Sequence, residues 1–173
     1  MFAEVHLALY VGEPERAWRT IDSQWRAFFR STQRRITLVG LDAVTRRGRC
    51  ALAAATHGIE PARTLQVAER AARALRREPA SAAGPMALLL SAGIAQVRGD
   101  SETAVRALLD AARASDDLDM RLYAALARRQ AGTLLAGADG AELRAGADRF
   151  LSSQRIARPE RMLEVLLPGF TPA

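Results

Sequence analysis

Apolar residues recur every three to four positions along almost the whole chain, and the pattern stops at four glycines: Gly12, Gly58, Gly99 and Gly137. Helical periodicity interrupted by glycine predicts helices with left-handed glycine stops. A helix-opening signal follows each stop: Glu13-Pro14-Glu15, Ile59-Glu60-Pro61, Asp100-Ser101-Glu102 and Ala138-Asp139. Proline in a first turn, with Asp, Ser or Glu around the cap, is how a helix opens after such a stop. The predicted helices cover about 2–11 and 14–30, 34–57 and 60–77, 83–98 and 101–115, 118–136 and 139–154, with a last short one at about 159–167. Glu78–Pro85 reads as a linker. No segment alternates apolar and polar positions with β-branched enrichment, so no sheet is expected.

The stops lie 46, 41 and 38 residues apart, and the register repeats around them. Four residues before each stop the side chain is small: Ala8, Ala54, Ala95, Thr133. Nine after come Ile21, Val67, Leu108 and Gly146, and thirteen after come Trp25, Ala71, Ala112 and Phe150. Small residues let a neighbouring helix approach, and bulky ones fill the space between hairpins. Ala54 and Ala95 are therefore expected to be buried at close crossings, and Gly146 marks the fourth unit as atypical. The expected fold class is all-α: one domain over 1–173, a right-handed solenoid of about four helical hairpins (2–30, 34–77, 83–115, 118–154) plus a C-terminal cap helix at about 159–167.

The Gly-x4-Ala spacing of Gly12 to Ala17 and Gly99 to Ala104, followed by Ile21 and Leu108, resembles the tetratricopeptide family. Arg63 and Glu142 depart from it, standing where the second and fourth units should carry Ala, and the repeat is longer than the family's unit. The last third has a second likeness. The run from Gly99 to Leu135 and the terminal Pro159-x-Arg161-Met162…Leu167-Pro168-Gly169-Phe170 resemble the C-terminal tails of large bacterial serine/threonine protein kinases of the myxobacterial type. Cys50–Ala55, after Thr45-Arg46-Arg47-Gly48-Arg49, resembles an earlier stretch of the same tails, so the likeness runs over most of 35–170. It implies a non-catalytic helical-repeat region belonging to a longer chain with an N-terminal kinase domain. Arg155 departs from the pattern, since such tails carry Gly there, which would supply a left-handed helix stop.

Composition changes this picture little. Ala (36), Arg (25) and Leu (22) make up nearly half of the 173 residues, with no Lys and no Asn, a bias that favours helix. The net charge of +6 raises the question of nucleic acid. The arginines are spread along the chain with no run longer than two, and aromatics are scarce, so a solvated surface is the plainer reading. Any nucleic-acid binding is expected to be weak and salt-sensitive. One cysteine leaves no disulfide within the chain and disfavours a Cys-based zinc site. No secretion signal is read at the N-terminus and no apolar run spans a bilayer, so a cytoplasmic bacterial protein is expected, without membrane contact.

Catalytic parts are absent from the sequence. It has no Gly-rich phosphate loop, no His-Arg-Asp, no Asp-Phe-Gly, and no Lys for a phosphate or a Schiff base. No enzyme, no metal and no cofactor are therefore expected. Cys50 is expected to be a buried small residue, and His6 and His57 to cap or pack at helix ends. The candidate partner contacts are Arg49 and Arg128, which share a register nine before their stops, with Tyr10 and Gln96 on the inner faces of the first helices of their hairpins. Trp18 and Trp25 join them; these two fall with Phe29 on one helical face that either meets a partner or packs on helix 34–57.

The function expected is a non-catalytic protein-interaction or sensor module. Its partner would be a regulator or the parent kinase module. The alternatives are a small-ligand or peptide-sensing array and an arginine-mediated nucleic-acid binder. Self-association through residues 2–25 is also expected, because Phe2, Val5, Leu9 and Tyr10 would expose a face that a preceding hairpin covers in a longer array.

Overall fold

The computed structural model describes residues 2–30, 37–79 and 82–170, and nine helices lie in these segments with no strand among the described residues. They are α1 (Phe2–Tyr10), α2 (Pro14–Arg30), α3 (Thr37–Thr56), α4 (Pro61–Arg77), α5 (Ala83–Val97), α6 (Ser101–Asp116), α7 (Arg121–Leu134), α8 (Gly137–Ser153) and α9 (Pro159–Leu166). The expected start of α3 at 34 and part of the expected linker 78–85 lie outside the described residues.

The stops work by local chemistry. Gly12, Gly58 and Gly99 have φ of 81°, 72° and 80°, and the next residue's N–H donates back to the small residue four before the glycine. These bonds are Glu13 N to Ala8 O at 2.8 Å, Ile59 N to Ala54 O at 2.9 Å, and Asp100 N to Ala95 O at 3.0 Å. The left-handed glycine thus satisfies carbonyls that a helix end would leave unpaired. Pro61 and Pro159 stand in first turns, and Asp100 caps α6 by accepting from Thr103 N at 3.0 Å. The hydrogen bond with Thr103 holds the Asp100 carboxyl below its usual range.

The fourth stop differs from expectation. α7 ends at Leu134, and Gly137 opens α8 rather than closing α7. Thr133 is exposed, and the buried small residues are Ala131 and Gly132. The reason is a close backbone approach between α7 and α8. A β-carbon on Gly132 would lie 2.5 Å from the Gly140 carbonyl oxygen, and one on Gly140 would lie 2.3 Å from that of Leu135.

The end of α8 carries strain that the sequence foreshadows. Arg155 holds φ 57°, and Ile156 N donates to Leu151 O at 3.1 Å, so an arginine serves as the left-handed stop. Arg155→Gly is expected to raise stability by about 0.5–1 kcal/mol, the relief of a non-glycine left-handed residue less the extra freedom of glycine in the unfolded chain. At about 2–4 °C per kcal/mol for a chain of this size, a thermal melt resolves it. An unchanged or lower midpoint would count against the stop.

Consecutive helices pack on one another, with the closest associations within α3–α4, α5–α6 and α7–α8 and next between α6 and α7 and between α4 and α5. α3 also lies beside α1 and α5. This packing is compatible with a helical repeat. Ala54 is fully buried and Ala95 nearly so, as the register requires. The core runs through Val5, Leu9, Trp18, Ile21, Leu52, Leu75, Leu108, Leu126 and Leu151. Among the described residues, no helix is long and apolar enough to cross a membrane.

Two expectations about the ends are corrected. α9 does not extend the stack as an end cap; it folds back against α1, α3 and α7. Val5 and Leu9 are buried, Leu9 beside α9, whereas Tyr10 is exposed and the Phe2 side chain lies outside the described residues. Among the described side chains of α1 and its end, the large apolar ones left exposed are Leu7, Tyr10 and Val11.

Candidate functional site

The C-terminal segment lies on a face to which α1, α3 and α7 contribute. α9 buries Leu163 and Val165, and Leu167, Pro168 and Gly169 after it are buried too. Pro168 and Gly169 cross α5 at Gly93. A β-carbon on Gly93 would lie 2.4 Å from the Pro168 carbonyl oxygen and 2.5 Å from Leu52 Cδ2. Gly169 has φ 107°, and a β-carbon there would lie 2.6 Å from Gly93 Cα. Two glycines therefore let two backbones touch, and neither position admits a side chain without movement.

A cleft of about 510 Å³ opens between α9 and the ends of α1 and α3. Leu9, Ala53, Pro168 and Phe170 supply its apolar walls, and His57, Arg158, Glu160 and Arg161 supply polar groups. The His57 ring Nδ1 lies 2.9 Å from the Ala53 carbonyl oxygen, capping the end of α3. Arg161 donates to Glu164 Oε2 at 2.7 Å and sits against Gly12. A second cleft of about 510 Å³ lies on the other flank of α9, against α7 and α8.

The face continues toward the starts of α5 and α7, where a basic cluster sits. Arg49 is 5% exposed. Its Nη2 donates to Met86 Sδ at 3.2 Å, and its guanidinium carbon lies 5.5 Å from the Tyr123 ring centroid. It has no carboxylate partner among the described residues, and it ties α3 to α5 and α7. Arg46 donates to Asp42 at 2.7 Å and lies 2.6 Å from the ring nitrogens of His6. Burial, with Arg46 and Arg49 adding to it, pulls His6 down from 6.5 to about 4. Burial pushes the Cys50 thiol up to about 12, so it stays protonated and unreactive.

His6 gives the fold a pH dependence. Its folded value lies below its unfolded one, so the stability it contributes is complete above about 6.5 and is lost as the pH falls toward 4. The ring is only half buried, and with solvent screening the loss is on the order of 1–2 kcal/mol. Urea denaturation at pH 7 and pH 5 should show this drop, and His6→Gln should shrink it. An equal drop in both proteins would remove His6 as its source.

The remaining sequence candidates scatter. Arg128 is committed to Asp116, which it meets with both terminal nitrogens, joining α7 to α6. Gln96 accepts from Ser101 Oγ at 3.2 Å at the α5–α6 turn. Tyr10 stands 39% exposed at the end of α1. Trp18 is 1% exposed and belongs to the core, with the guanidinium of Arg63 5.4 Å and that of Arg47 6.0 Å from its ring. Trp25 is half-buried under Arg47 at 4.4 Å. Asp22 receives Arg47 at 2.8 Å and Arg63 at 2.5 Å, so the Trp18 end of the aromatic face of α2 packs inward, while Phe29 at its far end is exposed. Hydrogen bonds to Glu60 and Asp22 raise the Arg63 pKa. This also accounts for Arg63 at a position expected to be Ala: it is exposed and reaches across to its partners.

No protein-family model, no curated protein and no solved structure matches the chain. Among the described residues, no group of three or more His, Cys, Asp or Glu is placed to hold a metal ion. Sequence reasoning missed Gly93 and Gly169 as a pair. The available signal was a glycine inside the helical pattern of α5, which calls for a packing reason.

Proposed function

We propose that the chain is a non-catalytic protein-interaction module, a right-handed solenoid of tetratricopeptide-like hairpins whose inner face, made by α1, α3, α5 and α7, receives a helical segment. We place it in the bacterial cytoplasm, in a signalling chain of the serine/threonine kinase type; that setting rests on the residue likeness over 35–170 alone. The observation that carries the interaction reading is the seat of α9. α1, α3 and α7 already hold a helix, and the bent Pro-Gly-aromatic segment after it rests on α5. Helix-in-groove binding uses this arrangement, with an apolar helix face laid into an apolar groove. Arg47, Arg63, Arg98, Arg128 and Arg129 are held by carboxylates of neighbouring helices, which leaves fewer free for the nucleic-acid alternative.

Affinity capture with three proteins tests the reading: the natural chain, Ala53→Arg beside the α9 seat, its fold checked by circular dichroism because Ala53 is buried, and Arg106→Glu on the exposed side of α6. Partners should be held by the natural chain and by Arg106→Glu and lost by Ala53→Arg. Partners held equally by both variants would move binding off the inner face, and nucleotide hydrolysis by the purified chain would end the non-catalytic reading. One observation favours a second reading, a small-ligand sensor. The cleft beside α1 and α3, at about 510 Å³, is of the size of small-molecule sites.

A further inference from the structure

The C-terminal segment occupies the inner face as a ligand would, and it fills that face incompletely. α9 runs between two clefts of about 510 Å³ each, one against α1 and α3 and one against α7 and α8. Glu160, Glu164 and Phe170 line both. Both clefts open to solvent, so α9 is flanked by unfilled space on each side. Leu163, Val165 and Leu167 anchor the segment, while its N-terminal side is weakly fixed. α9 has eight residues and no side-chain N-cap hydrogen bond. It hangs on a connection in which Gln154, Arg155, Ala157 and Arg158 are exposed and Arg155 is left-handed. Short elements with exposed connections open most readily.

The seat also shows what would fill it better. Its floor is small and apolar, with Leu9, Ala53 and Gly93. Its far wall carries Arg129 and Arg144, which line the second cleft together with Glu160 and Glu164 of α9. Arg129 is engaged by Asp148 at 2.7 Å, while Arg144 has no salt-bridge partner among the described residues.

We propose that segment 156–170 is an exchangeable occupant of the inner face, displaced by an amphipathic helix of another protein whose apolar stripe is flanked by carboxylates and which is longer or bulkier than α9. Carboxylates meet Arg129 and Arg144, and the added bulk fills the two clefts. This rests on the interaction-module reading and names its partner's chemistry.

The test uses the full chain. Gly169→Val releases the tail, because the position needs φ 107° and has no room for a β-carbon beside Gly93. A fluorescent peptide of residues 154–173 then serves as the probe, with fluorescence anisotropy as the readout. It should bind the Gly169→Val chain at least about 10-fold more tightly than the natural chain, whose tethered tail competes at high effective concentration. A Leu163→Asp peptide should not bind, and a peptide carrying Glu160→Arg and Glu164→Arg should bind several-fold more weakly. Equal binding to both chains, or to neither, overturns the proposal. So does a Gly169→Val chain that dimerises instead of binding peptide as a monomer, since the occupant is then a second copy. Hydrogen exchange on the natural chain needs no variant. Amides of 162–170 should exchange at least about 100-fold faster than those of α3 and α5, and equal protection overturns the exchange. If peptide binding fails while Ala53→Arg still abolishes partner capture, the interaction-module reading stands and only the exchange falls.

Discussion

Replacing Trp18 by alanine is expected to lower the unfolding free energy by about 3–5 kcal/mol, the usual cost of deleting a fully buried tryptophan. The ring is 1% exposed and lies beneath the guanidinium groups of Arg47 and Arg63. Those two arginines converge on Asp22, so the ring is the apolar base of a charged link between α2, α3 and α4. Removing it leaves a cavity and loosens the platform under two cations at once. Trp25 is the comparison. It is half-buried and stacks under Arg47 from the outer side, so Trp25→Ala should cost clearly less. Chemical denaturation of the two variants decides the matter. A loss below about 1 kcal/mol for Trp18→Ala would show that the ring is not core and would return it to the list of partner contacts.

Gly93→Ala should cost about 2–3 kcal/mol although it adds a single methyl group, as overpacking against unyielding neighbours does. The new carbon would meet the Pro168 carbonyl oxygen at 2.4 Å, and a backbone atom cannot turn aside as a side chain can. The tail must lift or α5 must shift. At about 2–4 °C per kcal/mol, the midpoint should fall by roughly 4–12 °C. Gly84→Ala, in the first turn of the same helix, has nothing within 4 Å of its new carbon and should be neutral or slightly stabilising through helix propensity. A Gly93→Ala chain as stable as Gly84→Ala would mean that the tail does not rest on α5. The pair separates a contact effect from a propensity effect, because the substitution and the helix are the same.

The helices were legible because their limits are set locally. Left-handed glycines at 12, 58 and 99 and prolines in the first turns act within a few residues, and local chemistry reads directly from sequence. The fourth stop was misread because its geometry comes from Gly132 and Gly140 approaching each other's helices. The candidate site was less legible still. Arg49 and Arg128 share a register, yet one is buried against Met86 and Tyr123 while the other is held by Asp116. Register places a side chain on a face; the neighbouring helix supplies its partner.

Among the described residues, the amino-acid sequence by itself determined an all-helical fold, the bounds of its helices to within about three residues, and the burial of Ala54, Ala95 and Cys50; it also shows the lack of kinase motifs. Only the tertiary structure decided where the last helix goes. The apolar stripe of α9 specifies that it must be covered, and burial of apolar area is non-directional, so the stripe does not say by what. The choice of α1, α3 and α7 comes from shape: two glycines 76 positions apart, Gly93 and Gly169, are the places where the tail backbone can lie against α5. That long-range fit seats the C-terminal segment against α1, α3, α5 and α7.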